Sequence, residues 1–526
     1  MGVYLNPGGD LFRMARKSQI YVDKSNLINL LNQRVETENR FVCVSRPRRF
    51  GKTMAANMVA AYYDRTADYR ADFSGLNITG QESFDRCGGK YDVLHLNMQE
   101  FLSKTSSVGE MISLLKKRVL HELLEANSGI SYFDKEDLSG CMSEIVVQTR
   151  SPFVIIIDEW DCVFREYQTG ISEQRDYLDF LREWLKDRAY IALVYMTGIL
   201  PVKKYGTHSA LNMFDQYAMD NPGIFAEYTG FTDAEVKSLC DRFEMDFEEA
   251  KSWYDGYYFS RVGAIYSPRS IVSAMQNGVY DTYWNKTETF EALKAYIELN
   301  RDGLRDAVIS LMAGDRRGIN ISTFSNDMTS LNSADDVMTL MIHLGYLAYD
   351  FQKKEVYIPN REIQAEFVNA TSTGGWDIIA RAVNASEKLL ESTLAMDAEA
   401  VADAVEKAHM ETSHLQYNDE NALSYTISLA YYSARQYYNI IRELPTGKGF
   451  ADMVFLPRTA YADKPALLVE LKWNKTAEGA ITQIKDKRYT EGLKGFAGKI
   501  LLVGISYDTG TKEHSCVIEE ERILSV

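Results

Sequence analysis

The hydrophobic run Phe41-Val42-Cys43-Val44-Ser45 passes through Arg46-Pro47-Arg48-Arg49-Phe50 into Gly51-Lys52-Thr53, and a helix-forming stretch begins near Met54. This junction limits the fold more than any other stretch of the chain. A strand that turns through Gly-Lys-Thr into a helix sets loop N–H groups and an ammonium at a helix N-terminus, where the backbone dipole favours phosphate. Gly51, Lys52 and Thr53 therefore read as the end of a phosphate-binding loop. Lysine would reach the outer phosphates, and the threonine hydroxyl would bind magnesium. The full pattern GxxxxGK[ST] has glycine where this chain has Arg46, so a side chain stands where close backbone approach is usual.

A loop of this kind needs a sheet behind it. Strand candidates at Phe41 to Ser45, Asp92 to Asn97, Phe153 to Asp158 and Ile191 to Thr197 alternate with helical stretches, which predicts an α/β domain with a parallel sheet covered on both faces. The third candidate ends in Asp158-Glu159-Trp160-Asp161. Downstream of a phosphate loop, Asp158 is placed to hold magnesium with Thr53, and Glu159 to orient the attacking water as a base. Simple solvation is the competing reading for such an acid pair. Thr197 could sense the terminal phosphate or merely close a strand end. Arg48 and Arg49 suit phosphate contact, a neighbouring subunit in a homo-oligomer, or pairing with surface acids.

A second constellation lies near the C-terminus. Asp452 interrupts the apolar run Phe450 to Phe455, and the strand-like run Ala466 to Lys472 ends in Glu470-Leu471-Lys472. Alternation puts Glu470 and Lys472 on one face of a strand, and a neighbouring strand can bring Asp452 alongside. Two carboxylates can hold magnesium or manganese with the Leu471 carbonyl, while Lys472 positions or deprotonates a water. The bland alternative is an ion pair on a sheet surface.

With 526 residues the chain exceeds one hydrophobic core, and three parts are expected. Residues 1–230 hold the phosphate-loop domain. Residues 231–374 read as a helical module that ends in a hairpin, either winged-helix-like or a plain lid, with a boundary at Thr371-Ser372-Thr373-Gly374-Gly375. Residues 375–526 form the last unit, in which a helix from Glu420 to Tyr438 leads into strands at Asp452 to Phe455, Ala466 to Leu471 and Lys499 to Ile505. A helix over Gly479 to Leu493 separates the last two strands.

The net charge of −16 disfavours wholesale adhesion to nucleic acid or an anionic membrane. A local basic surface is still available, because lysines and arginines outnumber acids between Arg442 and Lys499. Six scattered cysteines without a CxxC pair point to a reducing, cytoplasmic setting. No apolar run has the length to cross a bilayer, so no membrane partner is expected. The histidines, His409 among them, show no ligand spacing and read as structural.

The run Ser45-Arg46-Pro47-Arg48-Arg49-Phe50-Gly51-Lys52-Thr53, with Tyr21-Val22-Asp23-Lys24 before it and Ile157-Asp158-Glu159-Trp160-Asp161 and Thr197-Gly198-Ile199 after it, resembles the bacterial AAA-ATPase-like family that carries a C-terminal PD-(D/E)XK nuclease-like domain. Further matching stretches are Gly230 to Val236, Trp253 to Tyr257 and Gly345-Tyr346-Leu347. The resemblance implies that Arg46 is the usual residue at its position, and that ATP binds at Gly51, Lys52 and Thr53 with Asp158 and Glu159 opposite. For the last unit it implies a restriction-endonuclease-like α/β fold, Gln483 as a helix residue that serves the metal site, and Glu420 as an additional acid. It also suggests that Asp23-Lys24 frames the nucleotide site, although the residues alone favour a helix cap. The expected activity is ATP binding with hydrolysis, coupled to metal-dependent cleavage of nucleic acid, DNA foremost. The alternative is a nucleotide-dependent switch whose nuclease fold does not cut.

Overall fold

The structure is a computed structural model that describes residues 2–166, 170–202, 211–284, 291–299, 303–325, 331–371, 377–412, 427–428, 430–446, 449–458, 461–493 and 498–523. By packing, the chain divides into two compact units. The first comprises Met1–Thr289, Leu299–Asp302 and Arg317–Gln364, and the second comprises Phe290–Glu298, Gly303–Arg316 and Ala365–Val526. This division is coarser than the three expected parts, because most of residues 231–364 pack with the phosphate-loop sheet. The expected boundary at 374 falls outside the described residues.

Five strands, β1 (Phe41–Ser45), β2 (Asp92–Asn97), β3 (Phe153–Asp158), β4 (Ile191–Gly198) and β5 (Asp215–Tyr217), form a parallel sheet in the order β2-β3-β4-β1-β5. Every residue of β1, β3 and β4 is buried, which explains why these strands read as unbroken apolar runs without alternation. β4 lies between the loop strand and the acid-bearing strand. Its register pairs Ser45 with Gly198 and Ile157 with Met196, so the loop, Thr197 and Asp158 gather at the same end of the sheet. The helix Lys52–Tyr63 follows the loop and buries Ala56, Val59 and Ala60 in the core shared with Val42, Val154 and Ile156.

The rest of the first unit is mainly helical, as expected, with two small sheets that the sequence reading lacked or only partly found. β6 (Phe231–Thr232), β7 (Tyr257–Phe259) and β8 (Gly263–Tyr266) pair in the order β6-β8-β7, with Tyr257 and Phe259 buried and Tyr258 exposed. β9 (Arg317–Gly318), β10 (Ala348–Asp350) and β11 (Glu355–Tyr357) pair in the order β10-β11-β9, which adds a third strand to the expected hairpin.

The second unit carries a mixed sheet of β12 (Tyr438–Thr446), β13 (Gly449–Pro457), β14 (Ala466–Trp473), β15 (Gly498–Tyr507) and β16 (His514–Ile523) in chain order. Only β14 and β15 are parallel, and the helix Ala477–Asp486 makes the crossover such a pair requires. That helix packs Ile481 and Ile484 against Val454, Ala466 and Leu468, while Met453, Leu467 and Val469 on the other face join a core with Tyr431 and Leu389. The expected helix from Glu420 to Tyr438 is helical at 427–428 and 430, and its end is corrected: Tyr432–Gln436 is a 3-10 turn and a strand starts at Tyr438. Tyr438, Ile440 and Ile441 are aromatic and β-branched, and such side chains fit a pleated sheet better than a helix. Among the described residues no helix is long and apolar enough to cross a membrane.

Candidate functional site

At the end of β1 the chain turns through Gly51 in the left-handed region, φ 87°, before the helix starts at Lys52. Glycine adopts this conformation without steric cost. Lys52 is buried, and its Nζ donates to the carbonyls of Arg46 and Pro47, each at 3.0 Å. Burial lowers its pKa, opposed by Glu159 and Asp158. Asp158 is fully buried: Oδ2 accepts the Thr53 hydroxyl at 2.6 Å, and Oδ1 accepts the Thr197 hydroxyl and the Glu159 N–H. Thr53 and Asp158 therefore present adjoining hard oxygens, a donor set that suits magnesium. Thr197, one of the strand-end hydrogen bonders weighed above, donates to Asp158 and is not among the residues that line the cavity beside the loop.

That cavity measures about 520 Å³, within the usual size of a small-molecule site. Arg48, Arg49, Gly51, Lys52, Thr53 and Glu159 supply its polar side, and Ile20, Val22, Met58, Tyr228 and Val272 much of its apolar side. Lys24 also reaches it and pairs with Glu235 at 2.6 Å. Asp23 is not a helix cap: its carboxylate accepts the N–H of Ser25 at 2.8 Å and that of Asn77 at 2.7 Å. Arg46, the residue in place of the first glycine, lies outside this cavity. Its side chain is fully buried away from the cavity lining, Nη1 donates to the carbonyls of Ser45 and Tyr217, and the guanidinium lies 5.2 Å from the Phe259 ring centroid. Burial pulls its pKa down to about 10.

Arg165, and Asp161 from the acid motif, complete the acid end. Arg165 pairs with the Glu159 carboxylate and approaches Asp161 at 3.5 Å. Asp161 accepts the N–H groups of Ile199 and Leu200 at 3.0 and 2.9 Å, tying the turn after β3 to that after β4. Glu159 holds a left-handed backbone, φ 55°, and burial raises its pKa against the pull of Lys52 and Arg165. The available signal is the spacing of Asp161 and Arg165, four apart, with Asp161 just before the short helix Cys162–Glu166 that carries Arg165.

The loop also explains why distant stretches accompany it. Gly230 N–H donates to the Phe50 carbonyl at 2.9 Å, the Phe50 ring meets Tyr257 edge-on at 5.6 Å, and Tyr257 donates its hydroxyl to the Gly345 carbonyl. A Cβ on Gly345, itself at φ 88°, would stand 2.9 Å from Pro47 and 3.0 Å from the Trp284 ring. Arg49 Nη1 donates to the Trp284 carbonyl at 3.3 Å. The residues between Ser45 and Gly51 are thus shaped for packing against residues 230–364 as much as for phosphate.

In the second unit, β13 and β14 run antiparallel with Met453 opposite Val469, and one further step in that register sets Asp452 across from Glu470. Asp452 Oδ2 accepts the Leu471 N–H at 2.7 Å. Glu470 is 1% exposed; its Oε1 accepts Lys472 Nζ at 2.8 Å and Gln483 Nε2, and Gln483 also donates to the Tyr489 hydroxyl at 3.2 Å. Glu470 Oε2 is buried without a hydrogen-bond partner. Burial, then the neighbouring Asp452, pushes Glu470 up to about 7. An orphaned carboxylate oxygen beside a second carboxylate fits a divalent cation. Glu420 lies outside the described residues, and among the described residues no three Asp, Glu, His or Cys side chains form a complete metal cage. Glu443 falls across from Asp452 between the pairs Arg442–Met453 and Leu444–Ala451, with its side chain exposed.

Residues 9–207 match the family model of a predicted AAA-ATPase, and residues 419–520 match that of the PD-(D/E)XK nuclease superfamily. A search of curated proteins found no match. Among solved structures, the ORC2 protein of Aeropyrum pernix in ADPNP–ADP complexes aligns at 11% identity over 67% of this chain and 96% of its own, with a TM-score of 0.29. The ORC1 protein of Aeropyrum pernix in complex with DNA aligns at 11% identity over 71% and 97%, with a TM-score of 0.22. Likenesses this low carry no argument.

Proposed function

From a chain that carries an AAA-ATPase-like module followed by a PD-(D/E)XK nuclease-superfamily module, we propose an ATP-binding and ATP-hydrolysing protein whose second unit cleaves phosphodiester bonds in nucleic acid, DNA foremost. The supporting observation is one arrangement met twice: a buried strand carboxylate, Asp158 or Glu470, close to a second oxygen donor and a lysine.

At the loop, Lys52 and the N–H groups around Gly51 would bind the phosphates, with Arg48 and Arg49 at the cavity wall, and Thr53 and Asp158 would hold magnesium. Glu159 would orient the attacking water and accept its proton. In the second unit Asp452 and Glu470 would hold magnesium or manganese, which when bound supplies Lewis-acid stabilisation and a more acidic water. Lys472 and Gln483 would then orient water or the scissile phosphate. The setting is cytoplasmic, in keeping with the scattered cysteines, and self-association through Arg48 or Arg49 is compatible with their position at the cavity.

The competing reading is a nucleotide switch with a nuclease fold that does not cut. One observation favours it: Lys472 and Gln483 both donate to Glu470. The deciding experiment incubates full-length protein with single- and double-stranded DNA and RNA in magnesium or manganese, with and without ATP. Metal-dependent cleavage absent from Asp452→Ala supports the enzyme; no cleavage under any condition, with nucleotide binding lost only in Lys52→Ala, supports the switch.

A further inference from the structure

Glu362 lies in the first turn of the helix Arg361–Thr371 at 1% exposure, and its carboxylate takes hydrogen bonds from Ser270, Tyr283 and Trp284, which do not line the nucleotide cavity themselves but adjoin residues that do. Oε1 accepts the N–H groups of Tyr283 at 2.6 Å and Trp284 at 2.9 Å, and Oε2 accepts the Ser270 hydroxyl at 2.7 Å. Two routes leave this carboxylate. Through Trp284 it reaches the phosphate loop, because the Trp284 carbonyl accepts Arg49 and the Trp284 ring and Pro47 both crowd Gly345. Through Ser270 it reaches the helix Pro268–Asn277, which contributes Arg269, Val272 and Gln276 to the same cavity.

A carboxylate is an expensive device for joining two packed segments. Burial drives Glu362 up to about 7, offset by its three hydrogen bonds and by the charge of Arg49. What a carboxylate supplies is two acceptor oxygens in a fixed fork, able to take backbone N–H groups on one side and a hydroxyl on the other. The fork therefore sets the spacing between the loop wall and the helix wall.

We propose that Glu362 is a positioning residue for nucleotide binding, which holds the loop Arg46–Thr53 and the helix Pro268–Asn277 at the separation the nucleotide requires. It touches neither phosphate nor base. The role rests on the reading of the cavity as the nucleotide site. Nucleotide seated on the loop should consequently be felt at Tyr283, Trp284 and the helix, through bonds already in place.

Three variants separate this role from general structural support. Glu362→Gln keeps the fork, since its amide oxygen can accept both N–H groups and its amide nitrogen can donate to Ser270. Glu362→Ala removes all three bonds, and Ser270→Ala cuts only the helix route. Affinity is read with a fluorescent N-methylanthraniloyl ATP and magnesium, turnover by steady-state ATPase, and coupling by amide hydrogen exchange. Glu362→Ala should weaken binding about 30-fold and Ser270→Ala about 5-fold, as for the loss of several and of one buried hydrogen bond. KM should rise with kcat at saturation unchanged, and Glu362→Gln should stay within about 3-fold of wild type. In wild type, ATP should slow exchange at Tyr283, Trp284 and the helix; in Ser270→Ala the helix should lose that protection while Lys52 and Thr53 keep theirs. The role is overturned if Ser270→Ala binds and protects like wild type, if Glu362→Gln fails as badly as Glu362→Ala, or if kcat falls while KM holds. Should Glu362→Ala not fold, the other two variants decide. If wild type binds ATP no better than Lys52→Ala, the nucleotide reading falls with it.

Discussion

The two candidate sites differ in how their geometry is built. At the phosphate loop the groups proposed to act are held by partners inside the protein: Asp158 is bonded by Thr53 and Thr197, Glu159 by Arg165, and Lys52 by two loop carbonyls. The loop is also braced from residues 230–364 through Phe50, Pro47 and Arg49. The carboxylate site of the second unit needs little more than the register of two strands and one crossover helix, and it leaves Glu470 Oε2 unbonded. A site braced by tertiary contacts fails when a remote contact is lost, whereas a site built by register fails when one of its own residues is lost.

Substitutions can break or sharpen this contrast. Asp452→Ala should abolish metal-dependent cleavage, by more than the roughly 100-fold that loss of an outer partner of a metal site costs, and leave nucleotide affinity unchanged. Lys52→Ala should weaken ATP binding about 100-fold in a fluorescence titration, since charge-assisted bonds to phosphate go with it, while metal binding at Asp452 persists. Gly345→Ala tests the bracing from a distance. Its φ of 88° and the 2.9 Å approach to Pro47 predict about 10-fold weaker nucleotide binding and a lowered melting temperature, without any loss of a phosphate contact. Unaltered binding in Gly345→Ala would erase the difference between the two sites.

The smallest effect concerns pH and the second unit alone. His409 Nδ1 and His514 Nε2 lie 3.1 Å apart, both buried. Burial holds both imidazoles below the ordinary value of 6.5, and His514, next to His409, falls to about 4. A group whose folded pKa is depressed stabilises the fold above its unfolded pKa and loses that contribution as the pH falls. Melting of this unit should therefore drop by a few degrees between pH 6.5 and pH 4, and His514→Gln should flatten the slope in a calorimetric series.

Much of this was legible in the sequence, for reasons that differ by element. β1 and β3 fall on the expected residues because buried parallel strands read as nearly continuous apolar runs. The pairing of Glu470 with Lys472 follows from the two-residue period of a strand, and both point to one side as expected. β16 escaped notice because His514–Ile523 is an edge strand in which Glu519, Glu520 and Glu521 obscure the alternation. The braces at Gly345, Trp284 and Glu362 escaped for another reason: they are contacts between residues far apart in the chain, and no local pattern encodes the partner. Arg46 shows the same limit, since its burial against Tyr217 and Phe259 depends on strands remote in sequence.

The most direct test is a crystal structure of the full chain soaked in manganese, with and without an ATP analogue, read by anomalous diffraction. The account predicts a manganese peak shared by Asp452 and Glu470 Oε2 in both crystals, and a second peak at Thr53 and Asp158 only with nucleotide present. Absence of the first peak, with Lys472 and Gln483 still bonded to Glu470, would contradict the metal site on which the proposed cleavage depends.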